Sequence, residues 1–265
     1  MTLSVYIDSE MDETVKRAYA VALKAAQIAS EYLMKRFSEG KGMVSKDTRY
    51  DVKLDVDVET EELIKRTVKR SFSDHGFLCE ESGAEPSESA FTWVIDPLDG
   101  TVNFSRGIPH FCTSIALQKD GEYLFGVVHD PIRGETFSAI RDIGPTLNGV
   151  PIVKRGIDRI ENAVVAGGFF HEGATKRGIE IFSRLIPKVK KVRLFGSAAI
   201  DLCYVSVDRF NGYLNFSTNE WDVAAASLIV SLAGAKIEKR KHGEKIDIIA
   251  GDPAIFDDLR KIAGF

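Results

Sequence analysis

The stretch Trp93-Val94-Ile95-Asp96-Pro97-Leu98-Asp99-Gly100-Thr101 decides how this chain is read. An apolar, β-rich run leads straight into two aspartates three positions apart. Pro and Gly beside them predict a tight turn at a strand exit, and such a turn aims Asp96 and Asp99 at one point. Two carboxylates at close range repel unless a cation or a shared proton compensates them. Hard oxygen ligands of this kind suit Mg2+, which takes carboxylates, waters and substrate phosphate oxygens. Asp-Pro and Asp-Gly are also ordinary turn pairs, so this segment alone leaves a purely structural turn open.

Three further segments carry acids in a related way. Phe77-Leu78-Cys79-Glu80-Glu81-Ser82-Gly83 is another apolar run ending in paired acids, which a solvated loop would also explain. Asn219-Glu220-Trp221-Asp222-Val223 puts Asp222 at the start of an Ala-rich helix, where a simple N-cap is the alternative. Tyr50 to Asp57 alternates apolar and acidic residues and leads into a helix, so Asp57 is likewise a cap candidate. Both tryptophans, Trp93 and Trp221, lie within three residues of a proposed ligand, compatible with packing that holds a site rigid.

Periodicity supplies the frame. Val15, Tyr19, Ala22, Ala26, Ala29, Leu33 and Phe37 recur at helical spacing and predict one long helix over Asp12–Ser38. A second helix is predicted over Val58–Phe72. Phe91–Ile95, Thr113–Gln118, Tyr123–His129 and Thr136–Ile140 read as strands joined by turns, an antiparallel meander. Beyond Gly156, strands at Val164–Ala166, Val192–Phe195, Tyr213–Phe216 and Ile246–Ala250 alternate with helices at Lys176–Leu185, Ser197–Val207, Asp222–Leu232 and Pro253–Ile262. The expectation is an α+β half over residues 1–155 carrying the acidic motifs. An α/β half over 156–265 completes the site within one compact unit.

Composition limits the choices. The chain has 265 residues, 35 basic and 39 acidic, for a net charge of −4. This length supports a sizeable core, and an acidic balance argues against a dedicated nucleic-acid binder. Cys79, Cys112 and Cys203 are few, odd in number and far apart, which predicts free buried thiols and a reducing cytoplasm. No signal peptide and no membrane span is visible. The five histidines show no ligand spacing and are expected in surface or turn roles.

In order and spacing these motifs resemble the inositol monophosphatase family, within the Mg2+-dependent, lithium-sensitive sugar phosphatases that include fructose-1,6-bisphosphatases. The resemblance rests on Glu80-Glu81, then Asp96-Pro97-Leu98-Asp99-Gly100-Thr101, then Trp221-Asp222. Lys46, Asp57 and Gly196-Ser197-Ala198-Ala199 also match. It covers nearly the whole chain. It implies a layered α-β-α-β-α sandwich, α+β in class.

The resemblance implies a phosphomonoesterase in which Glu80, Asp96, Asp99, Asp222 and the Leu98 carbonyl hold about two or three Mg2+. With three ions the loaded site would carry about +2, complementary to a phosphate dianion. Thr101, paired with Asp57, would activate water, and Glu81 would help position it. Gly100 and Thr101 would cradle phosphate at a helix start. Gly196, Ser197, Ala198 and Asn215 would contact substrate. The expected substrates are inositol monophosphate and related small sugar or polyol phosphates; Asn215, neutral and shorter, stands where the family has a glutamate, which broadens the expectation beyond inositol alone. Arg193 or the cluster Lys188, Lys190 and Lys191 is a candidate reader of a second phosphate. Phe37–Tyr50, with Lys46, would be a mobile loop. Implied partners are a small phosphorylated sugar or polyol and a second copy of the chain, with no nucleic acid and no membrane. A fructose-1,6-bisphosphatase, a dual-specificity enzyme and a catalytically silent binding protein are the alternatives.

Overall fold

In a computed structural model, residues 12–40, 44–47, 52–169 and 173–265 are described. The side chain of Lys46, Gly42 and the 170–172 segment with His171 lie outside them.

Helix α1 spans Glu13–Ser38, with Asp12 as N-cap accepting from Thr14 N at 2.8 Å. Its buried stripe of Val15, Ala18, Ala22, Ala25, Ala26, Ala29 and Leu33 is mostly alanine, which lets the helix lie close to its neighbours. Strands β1 (Val44–Asp47) and β2 (Val52–Leu54) pair antiparallel. Helix α2 follows at Asp55–Lys69. Strands β3 (Gly76–Cys79), β4 (Gly83–Glu85) and β5 (Phe91–Asp99) lead into the short α3 (Thr101–Ser105). The meander β6 (Cys112–Lys119), β7 (Glu122–Asp130), β8 (Glu135–Ile140), β9 (Gly144–Leu147) and β10 (Val150–Pro151) completes an eight-stranded sheet. Its order is β10-β9-β8-β7-β6-β5-β3-β4, with β3 and β5 the parallel pair.

The remaining chain runs β11 (Val164–Gly168), α4 (Thr175–Leu185), β12 (Lys191–Arg193), α5 (Ala198–Ser206), β13 (Gly212–Thr218), α6 (Glu220–Leu232), β14 (Lys236–His242), β15 (Lys245–Gly251) and α7 (Phe256–Ala263). Its five-stranded sheet has the order β12-β11-β13-β15-β14. Here β11 is parallel to β12 and β13, while β15 is antiparallel to β13 and β14.

Three apolar clusters stack these elements into five layers. Helices α1 and α2 cover one face of the large sheet through Ala22, Ile64, Trp93 and Phe125. Helices α5 and α6 fill the space between the two sheets through Leu202, Ala225, Ile229 and Tyr213. Helices α4 and α7 cover the outer face of the small sheet through Phe182, Leu259 and Ile249. This is the expected α-β-α-β-α sandwich. The approach of α6 to β7 is so close that a Cβ on Gly126 would stand 2.6 Å from Ala225 O, so only glycine fits there.

Several boundaries differ from the periodicity reading. Helix α2 begins at Asp55, so Asp57 is its third residue and not the N-cap, and it caps the helix start by accepting from the N-cap Leu54 N at 2.8 Å. Strand β5 runs on to Asp99 through an irregularity between Asp96 and Asp99, so the two aspartates lie at a bulge and not in a free turn. Phe37 belongs to α1, packing its ring on Phe104 at 5.3 Å and Phe111 at 4.9 Å. Together with strand β1, this means that Phe37–Tyr50 is not one continuous loop. Strands β4, β9, β10 and β14 carry no clear apolar alternation and escaped the sequence reading. The three cysteines are buried and free. His75 and His110, by contrast, are buried and not at the surface.

Candidate active site

The C-terminal ends of β3, β5, β11 and β13 and the starts of α3, α5 and α6 surround one cleft of about 830 Å3. Glu80, Asp96, Asp99, Asp201 and Asp222 wall it, together with Leu98, Gly100, Thr101, Gly196, Ser197, Ala198 and Asn215. Acidic motifs far apart in sequence therefore meet in one place.

Each acid is fixed by local backbone. Asp96 Oδ1 accepts from Leu98 N at 3.0 Å, an Asx turn that shapes the bulge. Gly100, at φ 101°, turns the chain into α3, and a Cβ there would lie 2.9 Å from His110 O. Asp99 reaches across to α5. It accepts from Ser197 Oγ at 2.7 Å, Ala199 N at 2.6 Å and Ala198 N at 3.1 Å. The first N–H groups of a helix have no partner within it, and a carboxylate from the other sheet supplies one here. Asp222 is the third residue of α6. Its Oδ2 accepts from the N-cap, Asn219 N, at 2.8 Å, and from Thr218 Oγ1. Glu61, 2% exposed, accepts from Glu81 N at 2.8 Å and Ser82 N at 3.0 Å and so braces the turn that carries Glu80.

The electrostatics are those of crowded, buried acids. Desolvation pushes the Glu80 and Asp96 carboxyls well above their usual range, and the neighbouring negative charges push the same way. The Glu80 charge pushes Asp96 up, and the Asp222 charge pushes both up. Burial raises Asp99 to about 7, against the opposing hydrogen bonds from Ser197 and the α5 N–H groups.

Among the described residues, no three His, Cys, Asp or Glu side chains already stand as a metal-ligand cluster. The hydrogen bonds give the reason, since Asp96, Asp99 and Asp222 are turned onto backbone and hydroxyl donors. Glu80 Oε2, however, is buried with no hydrogen-bond partner. A buried carboxylate oxygen without a donor is costly. An all-oxygen set beside it suits a hard divalent cation. The residues therefore fit Mg2+.

The site also departs from expectation. Thr101 Oγ1 donates to Leu98 O at 2.9 Å and not to Asp57. Asp57 and Glu81 do not wall the cleft, although the charge of each bears on Glu80. Lys188, Lys190, Lys191 and Arg193 are exposed, and none of them reaches the cleft wall.

Sequence reasoning missed Asp201, which is paired through Oδ1 with His110 Nε2 at 3.0 Å. Burial raises its carboxyl and His110 opposes this. An aspartate inside the apolar run Ala198–Ser206 was the available signal. Asn103 was missed too. Its Nδ2 donates to His110 O at 2.9 Å and Phe195 O at 2.7 Å, tying α3 to the segment before Ser197.

Fold and site together define a layered α/β protein with an oxygen-rich, acid-walled cleft suited to a divalent cation. The chain belongs to the inositol monophosphatase family, whose model matches residues 12–260. Among its relatives is the Nus factor SuhB of Pasteurella multocida, 36% identical over 222 residues, covering 82% of this chain and 83% of that one. The Nus factor SuhB of Escherichia coli K12 is 33% identical over 243 residues, covering 89% and 91%. The crystal structure of the extragenic suppressor protein suhB from Bartonella henselae superposes with a TM-score of 0.87 at 32% identity, covering 92% of this chain and 97% of that one. An inositol monophosphatase from Anabaena superposes with a TM-score of 0.78 at 29% identity, covering 92% and 93%. No described helix is long and apolar enough to cross a membrane.

Proposed function

We propose that this chain is a Mg2+-dependent phosphomonoesterase that hydrolyses small sugar or polyol phosphates, inositol monophosphate among them. The observation that carries the reading is the buried, partnerless Glu80 Oε2 in a cleft with Asp96, Asp99 and Asp222. Glu80, Asp96, Asp99, Asp222 and the Leu98 carbonyl would hold about two or three Mg2+. Bound there, Mg2+ supplies positive charge for the phosphate and the leaving oxygen and lowers the pKa of attacking water.

The chain's own groups do the rest. Gly100 and Thr101 present backbone on the cleft wall where the scissile phosphate would sit. Thr101, held by Leu98 O, and Asp57 and Glu81 behind the wall would orient the nucleophilic water and take up its proton. Gly196, Ser197 and Ala198 shape the wall facing the alcohol part of the substrate. Asn215 Nδ2 donates to Tyr213 OH at 2.9 Å while its Oδ1 is buried without a partner, so it would offer a neutral acceptor to a substrate hydroxyl. A homodimer is part of the proposal, read by light scattering on the purified chain. A substrate panel at fixed Mg2+ tests the whole reading. Phosphate release from inositol 1-phosphate supports it, and release from no phosphate monoester refutes it.

A second reading follows from the relatives' name, Nus factor, which suggests a binding role in transcription for this chain as well. The variant Asp99→Asn separates the two. A binding role survives the substitution, and one that depends on catalysis does not.

A further inference from the structure

Among the described residues, the acid-walled cleft has one basic side chain on its wall, that of Lys245. Lys245 opens β15 and is exposed. Five carboxylates share the cleft with it, yet it forms an ion pair with none of them. Its ammonium donates instead to a neutral group, Asn219 Oδ1, at 2.6 Å. The other face of that amide, Asn219 Nδ2, lies 3.3 Å from Asp222 Oδ2. One amide therefore separates the proposed metal end of the cleft from a positive charge.

Two basic side chains near Lys245 share one carboxylate. Arg177 pairs with Asp247, and His242 Nε2 stands 3.2 Å from the same carboxylate. Asp247 is further occupied by Ser217 N at 3.0 Å, which holds Ser217 at φ 65° and so shapes the wall between Asn215 and Asn219. Lys188, Lys190, Lys191 and Arg193 stand off the wall. Among the described residues, a substrate whose scissile phosphate lies among Glu80, Asp96, Asp99 and Asp222 meets one basic side chain that can neutralise a second negative group.

We infer that Lys245 reads a second anionic group on the substrate, a phosphate or a carboxylate, and biases the enzyme toward doubly anionic phosphate esters. The inference rests on the phosphomonoesterase reading above and names its substrate class. An ammonium on a flexible stem suits this task, because it contributes charge without demanding one geometry.

The test uses the full chain with Mg2+ and three substrates: inositol 1-phosphate, fructose 1,6-bisphosphate and 3-phosphoglycerate. Lys245→Met is compared with Lys245→Arg and wild type. The expected result is a rise of about tenfold in KM for the doubly anionic substrates relative to inositol 1-phosphate, with kcat little changed and Lys245→Arg restoring most of the loss. A rise confined to fructose 1,6-bisphosphate assigns the site to phosphate, and one confined to 3-phosphoglycerate assigns it to carboxylate. An equal loss on all three, with a higher Mg2+ requirement, makes Lys245 a positioning residue for Asp222 through Asn219 and overturns the inference. So does no change on any substrate. A wild-type chain that hydrolyses none of the three overturns the phosphomonoesterase reading itself, an outcome distinct from the other two.

Discussion

Ser197 Oγ donates to Asp99 Oδ2 at 2.7 Å, and the two residues are 98 positions apart. The bond joins the end of β5 in the large sheet to the start of α5 beside the small one. The cleft exists because two sheets are clamped here around one carboxylate. The N–H groups of Ala198 and Ala199 complete the clamp.

Removing the hydroxyl should loosen Asp99 without opening a large cavity. Ser197→Ala is expected to lower Mg2+-dependent turnover about 10–100-fold and raise the Mg2+ concentration for half-activity, with little loss of stability. Steady-state rates against Mg2+ check this. Unchanged half-activity would show that the hydroxyl does not set the ligand's orientation.

Gly126 reports on the packing beneath the site. A Cβ there would meet Ala225 O at 2.6 Å and Ala225 Cα at 2.7 Å, both backbone atoms that cannot swing away. Gly126→Val is expected to cost about 3 kcal/mol of stability. Urea denaturation measures it, and a variant as stable as wild type would mean that α6 shifts freely over β7.

His75 gives stability a pH dependence. Its ring stacks on Phe72 at 4.7 Å and Phe91 at 4.8 Å, and its Nδ1 accepts from Trp93 Nε1 at 3.1 Å. Burial lowers its pKa below the usual 6.5. The unfolded chain therefore takes up a proton that the folded chain resists. This contribution is full above about pH 6.5 and is lost as the pH falls through the folded value. Urea midpoints from pH 7.5 to 5.0 should fall more steeply for wild type than for His75→Gln. Parallel curves would remove His75 from the account.

The buried acids make the cleft responsive to Mg2+. Saturating Mg2+ is expected to raise Tm by about 5 °C at pH 7.5. At pH 5.5 the rise should be smaller, because protons then hold the carboxyls that the cation needs, Asp99 with a pKa of about 7 among them. Differential scanning at both pH values is the check. A shift that is absent at pH 7.5, or larger at pH 5.5, contradicts the assigned ligands.

What was legible in the sequence is what is local. Asp96-Pro97-Leu98-Asp99-Gly100-Thr101 announces a turn with two acids, and the three residues leading into it, Trp93, Val94 and Ile95, are apolar. What was not legible depends on the distant partner. Nothing near Asp99 announces Ser197, and nothing near Glu80 announces the Glu61 brace. Strand β14, Lys236–His242, is a mostly basic edge strand with Ile237 its one apolar residue, so no period-2 apolar pattern marked it. Lys245 sits just beyond that strand in a charged hairpin, where its neighbours read as ordinary surface.

Asp99→Asn asks whether the buried carboxylates hold Mg2+ for phosphate ester hydrolysis. The amide keeps the volume, and its oxygen still accepts from Ser197 Oγ and Ala199 N while Ala198 N loses its acceptor, so the fold should persist by circular dichroism. Phosphate release from inositol 1-phosphate is measured against Mg2+ for wild type and variant. Wild type is expected to release phosphate in a Mg2+-dependent way, and the folded variant to lose at least about 1000-fold. A folded Asp99→Asn chain that keeps wild-type turnover and the same Mg2+ dependence would contradict this expectation.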